Sequence, residues 1–362
     1  MSDYASAGTA GFSGSLPRER TASSKEGKVD EQAAAMLVRR TGWCPRRMHP
    51  ATEQIMSAIQ TLRLEFNLAS PCSDRRNCTM THAFLIGCGK CGTTTLAYLL
   101  DQHASIAVSR PKEPNFFSSD EEYARGLQHY HTVFKHKENV KIKIDASVCY
   151  SLFDTEKKIS KRIRNHFPSP KFIYIARNPY ERIESVFRER HHHAHRDRLD
   201  IPFNLKEGIA FHLPMLLNSL YWQRTSVFRS MFGEQSILYL TTEDLNIAHE
   251  SVLRKCFDFL EVADETYPSA EKKILNPGSE KLCDTTLLRL IRKYRPTWSF
   301  FESLPQPVHK RLLNALRRSS SCLDITWTNE MRLFMSTFFT NDVSHYLLAA
   351  GKPPDFWGKD FV

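Results

Sequence analysis

No run of about 18 apolar residues occurs in the 362-residue sequence, so no segment is long enough to cross a bilayer as a helix. The opening stretch, MSDYASAGTAGFSGSLPRER, lacks an apolar core behind a basic start, and secretory export is not expected. Cysteine is scarce. Nine thiols, an odd number, are too few for a disulfide scaffold and point to a reducing, cytoplasmic setting. Cys88 and Cys91 form a CGKC tetrapeptide, but Cys72 and Cys78 upstream have no matching pair downstream, so no zinc or other metal is expected. Signatures of nucleic-acid modules are missing too: there are no RNP aromatics, finger ligands or helix-turn-helix. The net charge of +10 therefore implies anionic ligands or surfaces rather than nucleic acid.

What is present, 41% hydrophobic and 25% charged residues, suits a soluble globular chain with one large domain. Large apolar residues are nearly missing from the first 28 positions, and residues 1–50 are expected to be a largely disordered extension. Residues 51–80 read as a helical lead-in, with Ile55, Ile59, Leu62 and Phe66 on one side. From Thr81 the pattern alternates: HAFLIG, VKIKIDA and KFIYIAR are strand-like, while TTTLAYLLDQH, FDTEKKISKRIRNHF and NPYERIESVFRERHHH are helical. That alternation predicts an α/β fold, a P-loop-like central parallel sheet with helices on both faces, in a single catalytic domain over residues 81–304. A long helix over residues 211–231, a strand in SILYLTTEDL and a helix over residues 250–260 complete it. No strand is expected beyond Pro268, and residues 305–362 are expected to form a helical C-terminal extension packed on the domain.

Two motifs carry chemistry. The first, Gly87-Cys88-Gly89-Lys90-Cys91-Gly92-Thr93-Thr94-Thr95, lies between a strand and a helix, where backbone N–H groups and the helix dipole converge on an anion. Gly87 and Gly92 have P-loop spacing, yet Thr93 stands where a nucleotide triphosphatase needs its lysine. Lysine sits earlier, at Lys90, where it can lie over the bridging oxygen of a 5'-phosphosulfate and bear charge as that bond breaks. In the second motif, Arg177-Asn178-Pro179-Tyr180-Glu181-Arg182-Ile183-Glu184-Ser185, Arg177 ends a buried strand and Ser185 lies two turns into the next helix. A guanidinium and a hydroxyl so placed can grip one phosphate together.

GCGKCGTTTLAYLL and ARNPYERIESVF, with the eight-residue step from Arg177 to Ser185, resemble the donor motifs of the sulfotransferase superfamily, in the branch of heparan sulfate and related carbohydrate sulfotransferases. PKEPNFF, KIDASVCYS and FGEQSILYLTTEDL follow in the family's order, and the resemblance covers roughly residues 81–304. It implies 3'-phosphoadenosine 5'-phosphosulfate as donor. Gly89, Lys90, Cys91, Gly92, Thr93, Thr94 and Thr95 would surround its 5'-phosphosulfate, and Arg177 with Ser185 its 3'-phosphate. LNPGSEKLCD looks like the family's closing loop, which makes Asn276, Gly278 and Lys281 candidate nucleotide contacts. The resemblance also makes Glu113 in KEPNFF the candidate general base, with Asn115 where some relatives have histidine; the competing reading is a surface pair with Lys112 or Arg110.

Asp145 and Ser147, at a strand end, are candidate acceptor-pocket residues, although Val148 replaces the proline usual in the family. His191 and His195 are one helical turn apart and read either as a polar wall of the acceptor cleft or as a solvated helix end. The acceptor class implied is a small molecule or saccharide carrying a hydroxyl or amine. Two other readings compete: a P-loop kinase or triphosphatase, which Thr93 disfavours, and a non-catalytic nucleotide-binding relative, for which Asn115 and Val148 would be decay.

Overall fold

The computed structural model describes residues 81–197, 201–263, 282–319 and 323–361. The expected N-terminal extension and helical lead-in lie outside them, as do Asn276, Gly278 and Lys281. Five parallel strands form the central sheet: β1 (Thr81–Leu85), β2 (Ile106–Val108), β3 (Ile142–Asp145), β4 (Lys171–Ala176) and β5 (Ile237–Thr241), in the order β2-β3-β1-β4-β5. The helices used below are α1 (Thr93–Asp101), α2 (Glu156–His166), α3 (Pro179–Asp197), α4 (Tyr221–Arg224), α5 (Thr242–Ile247), α6 (His249–Leu260), α7 (Thr286–Lys293), α8 (Arg295–Glu302), α9 (Gln306–Ala315) and α10 (Asn329–Ala349).

Alternation along the strands gives the sheet two chemically different faces. Ala83, Leu85, Ile173 and Ile175 point to one side, where Leu96, Leu99 and Leu100 of α1 and Val252, Leu253 and Phe257 of α6 cover them. Phe84, Phe172 and Tyr174 point to the other, an aromatic layer that includes Phe117, Tyr150, Tyr221 and Tyr346. Two tyrosine hydroxyls on that side, those of Tyr221 and Tyr346, find backbone acceptors. The Tyr346 hydroxyl of α10 lies 2.6 Å from Leu240 O and 3.2 Å from Tyr174 O, so the last long helix is bonded to both β4 and β5.

Two sequence expectations are corrected, and one strand is added. The stretch 211–231 is not one helix: Pro214–Leu217, Tyr221–Arg224 and Ser226–Phe232 are separate. Its break has a cause, because buried Asp342 of α10 accepts hydrogen bonds from Trp222 N at 3.1 Å and Gln223 N at 2.8 Å, and Leu220 leaves the helical region with ψ 74°. A strand pair does occur beyond Pro268: β6 (Leu282–Asp284) and β7 (Arg317–Ser319) are antiparallel, joined also by Arg317 Nε to Asp284 Oδ1 at 3.1 Å. β2, only three residues long at the sheet edge, is too short for a periodic signal.

As β1 gives way to the first motif, the chain stays beside β4, with Ile86 N bonded to Ile173 O at 3.1 Å and Cys88 N to Ile175 O at 3.0 Å. A side chain at Gly87 has no room there: a Cβ would stand 2.5 Å from Ile175 N. Gly87→Ala should therefore lower unfolding stability by about 1–3 kcal/mol, read as a fall in the urea midpoint at unchanged slope.

Candidate active site

The loop after β1 closes with Cys91 N bonded to Cys88 O at 3.2 Å and carries Lys90 with φ 72°. A residue with a side chain held in the left-handed region costs of order 1–3 kcal/mol, and such positions cluster at ligand sites. Gly92, with φ 78°, turns the chain into α1. No side chain caps α1 and no acidic residue stands in its first turn, so the N–H groups of Thr93, Thr94 and Thr95 and the positive end of the helix dipole are left to an external anion. Thr93 is buried, while Thr94 and Thr95 are half-buried. Thr242 at the start of α5 fastens the loop from the side, its hydroxyl 2.8 Å from Cys91 O and 2.9 Å from Ala176 O.

Beneath the loop lies Arg182, 3% exposed. Its Nε donates to Gly89 O at 3.1 Å, and its Nη1 to Met215 O at 3.1 Å and Ser219 Oγ at 2.7 Å. Both cysteines of the loop share this environment. Cys88 Sγ donates to Asn218 O at 3.2 Å. Burial holds the Cys91 thiol above its ordinary range; at Cys88 burial is outweighed by the Cys91 thiol and the Arg182 charge, which draw it down. Lys90 Nζ reaches Glu189 Oε1 at 2.9 Å. Positions 182, 185 and 189 fall on one stripe of α3. Because the outer two touch Gly89 and Lys90, Ser185 stands on the face of α3 turned to the loop after β1, which brings the two sequence motifs together.

Arg177 leaves the end of β4 half-buried and pairs with Glu181 one turn on, Nη2 to Oε2 at 2.5 Å. Its carbonyl accepts from Tyr221 OH at 2.7 Å, and Asn178 N donates to Glu243 Oε1 at 2.9 Å, so the backbone of the strand end is fixed. Asn178 also caps α3 through its side chain, accepting from Tyr180 N at 3.0 Å.

Glu113 is exposed and pairs with its neighbour, Oε1 to Lys112 Nζ at 2.7 Å. Asp145 and Ser147 are fully buried and face protein rather than open pocket: Ser147 Oγ donates to Asp145 Oδ1 at 2.6 Å, and Tyr150 OH to Oδ2 at 2.8 Å. The same hydroxyls accept Asn115 N at 3.1 Å and Phe117 N at 3.2 Å, so this cluster anchors the Glu113 loop to the end of β3. Asn115, with φ 56°, accepts from the Cys149 thiol at 2.9 Å. Neither reading of His191 survives, since it is neither a solvated helix end nor a cleft wall. It is 1% exposed, with Nε2 3.1 Å from Pro202 O and Nδ1 facing Arg289. Burial and the Arg289 charge take its pKa down to about 4, so the ring is neutral and holds α3 to its neighbours. His195 belongs to α3, but its side chain lies outside the described residues. Among the described residues no group of three or more His, Cys, Asp or Glu side chains could hold a metal ion.

Burial, partly offset by the Ser147 and Tyr150 hydrogen bonds, raises Asp145 to about 6. Since its unfolded pKa is near 3.9, the folded state holds the proton more tightly. This contribution to stability is complete below about pH 4 and is lost as pH rises through about 6. Asp145→Asn should remove up to about 3 kcal/mol of the pH dependence between pH 4 and 6, measured by urea unfolding across that range.

The family model described as sulfotransferase domain matches residues 80–282. Over 322 residues the chain is 23% identical to the bifunctional heparan sulfate N-deacetylase/N-sulfotransferase 2 of Mus musculus, covering 80% of this chain and 33% of that protein. Over 105 residues it is 33% identical to heparan sulfate glucosamine 3-O-sulfotransferase 5 of Mus musculus, covering 29% of each. The chain thus spans about a third of the length of these relatives. Among solved structures, a sulfotransferase from Alicyclobacillus acidocaldarius superposes with a TM-score of 0.50 at 18% identity, over 76% of this chain and 98% of the other, a likeness of fold.

Proposed function

Because the chain belongs to the sulfotransferase family, we propose that it moves a sulfuryl group from 3'-phosphoadenosine 5'-phosphosulfate to a hydroxyl or amine of a saccharide or small-molecule acceptor. The observation that supports this most is the convergence of three parts on one place: the uncapped start of α1, Lys90, and the α3 stripe that carries Ser185. An uncapped helix start with no acid in its first turn and a lysine beside it suits the 5'-phosphosulfate. Arg177 and Ser185 suit the 3'-phosphate, with Arg177 exchanging Glu181 for it.

In the proposed reaction an oxygen or nitrogen of the acceptor bonds to sulfur while the bond from sulfur to the bridging phosphate oxygen breaks. Lys90 leaves Glu189 to bear the charge that gathers on that oxygen, together with the amides of Thr93 to Thr95. Glu113 takes the acceptor proton; its loop is held through the backbone of Asn115 and Phe117 by Ser147 and Tyr150, while its carboxylate pairs with Lys112. Transfer of this kind, like phosphoryl transfer, rests on positioning and charge stabilisation. Saccharide acceptors gain support from the heparan sulfate enzymes among the relatives, and a cytoplasmic setting from the free thiols at Cys88, Cys91, Cys149 and Cys256. A kinase or triphosphatase is disfavoured by Thr93, buried where such enzymes present lysine.

Calorimetry with adenosine 3',5'-bisphosphate tests the donor site: binding should be the same with and without magnesium, and binding of magnesium-ATP alone would overturn the reading. Lys90→Ala should abolish transfer to an acceptor panel while the thermal midpoint stays put; a folded variant that still turns over refutes the mechanism. Glu113→Gln should lower kcat about 10²–10⁴-fold with unchanged affinity for the bisphosphate, and an unaltered rate would place the base elsewhere.

A further inference from the structure

The segment that follows the family match is unusual in both its charge and its exposed apolar surface. Between Leu282 and Ser319 there are eight Lys and Arg against two Asp and Glu, so these 38 residues carry net +6 of the chain's +10. The same segment supplies six of the eleven large hydrophobic side chains exposed among the described residues: Leu287, Leu290, Tyr294, Phe300, Val308 and Leu312.

Their placement is orderly. Leu287, Leu290 and Tyr294 follow a three-and-four spacing along α7 and its C-terminal cap, with exposures of 56%, 59% and 63%. Phe300 of α8 is 70% exposed although its neighbour Phe301 is buried and stacks on Trp298. Val308 and Leu312 lie one turn apart on α9. These helices have an interior of their own, since Leu288, Phe301 and the buried Asp284 with Arg292 and Arg317 point inward, so the exposed set is not simply an unpacked core. Lys293, Lys310 and Arg311 are exposed on the same three-helix segment.

Leucine and aromatic side chains facing water, interspersed with lysine and arginine on short amphipathic helices, have the chemistry of a surface that lies in the headgroup region of a bilayer. Cations alone would suit any polyanion; the six apolar side chains favour a partner with a hydrocarbon layer behind its negative charge. Among the described residues no helix is long and apolar enough to cross a membrane. We propose that the segment from α7 to α9 docks the protein peripherally on an anionic lipid bilayer, with the apolar side chains entering the headgroup layer and the cations pairing with lipid phosphates and carboxylates. The proposal is independent of the reaction assigned to the chain.

The test is co-sedimentation of the full chain with phosphatidylcholine vesicles, with and without phosphatidylserine at about one lipid in three. Binding should require phosphatidylserine and weaken as salt rises. Lys310→Ala with Arg311→Ala should weaken it about thirtyfold, at the worth of two cations near an anionic surface. Leu290→Ser with Phe300→Ser should weaken it at least tenfold, because the loss of inserted apolar surface leaves charge alone. These residues are exposed, and an unchanged circular dichroism melt confirms that each variant is folded. Absence of binding to phosphatidylserine vesicles by the unaltered chain overturns the proposal, as does binding that both double variants retain in full. A chain that dimerises in light scattering, and becomes monomeric in the Leu290 and Phe300 variant without having bound vesicles, overturns it in favour of a second copy.

Discussion

Arg182 is the constraint on which the arrangement of the site depends. A guanidinium removed from water is stable only when its donors are matched, and each hydrogen bond to such a charge is worth about 1.5–3 kcal/mol. Its partners come from two otherwise separate pieces of chain: Gly89 of the phosphate loop, and Met215 and Ser219 of the segment before α4. The loop cannot shift without unpairing the arginine, and the arginine is carried by the helix that also bears Ser185 and Glu189. Local rigidity around the loop after β1 thus comes from one charge with nowhere else to go.

The cations assigned to the donor are treated differently. Lys90 and Arg177 each hold a carboxylate of α3, Glu189 and Glu181, and all four side chains are partly exposed. Ion pairs in such settings are worth about 0–1 kcal/mol, far less than a charge-assisted bond to phosphate. Each carboxylate keeps its cation aimed along α3, and in the proposed reaction it would be exchanged for the donor's anion. The site therefore combines a fixed base with two cations held in reserve.

Much of this was legible in the sequence. Strand and helix alternation through β1, β3, β4 and β5 could be read because each of these strands is a short apolar or alternating run and α1, α2 and α3 open at Gly92, Thr155 and Pro179. The two phosphate motifs were readable as motifs, but their meeting on α3 was not, because the three-residue and seven-residue steps from Arg182 become a face only once the helix lies beside the loop. Arg182 itself gave a faint signal, an arginine on the apolar side of an otherwise amphipathic helix. His191 misled for the opposite reason: a run of histidines reads as polar surface, and only packing against Phe187 and Phe203 makes this one a core residue. Asp342 could not be found at all, since it breaks a helix more than a hundred residues away.

The Tyr346 hydroxyl donates to backbone carbonyls of both β4 and β5, and Tyr346 belongs to the last long helix of the chain. During synthesis the sheet emerges from the ribosome well before that helix does. Until α10 arrives, the aromatic face lacks its cover at the junction of the two strands, and the Trp222 and Gln223 amides lack their carboxylate. Between the completion of β5 at Thr241 and the arrival of Tyr346, the nascent chain thus carries an open, sticky half-core at the junction of the two strands.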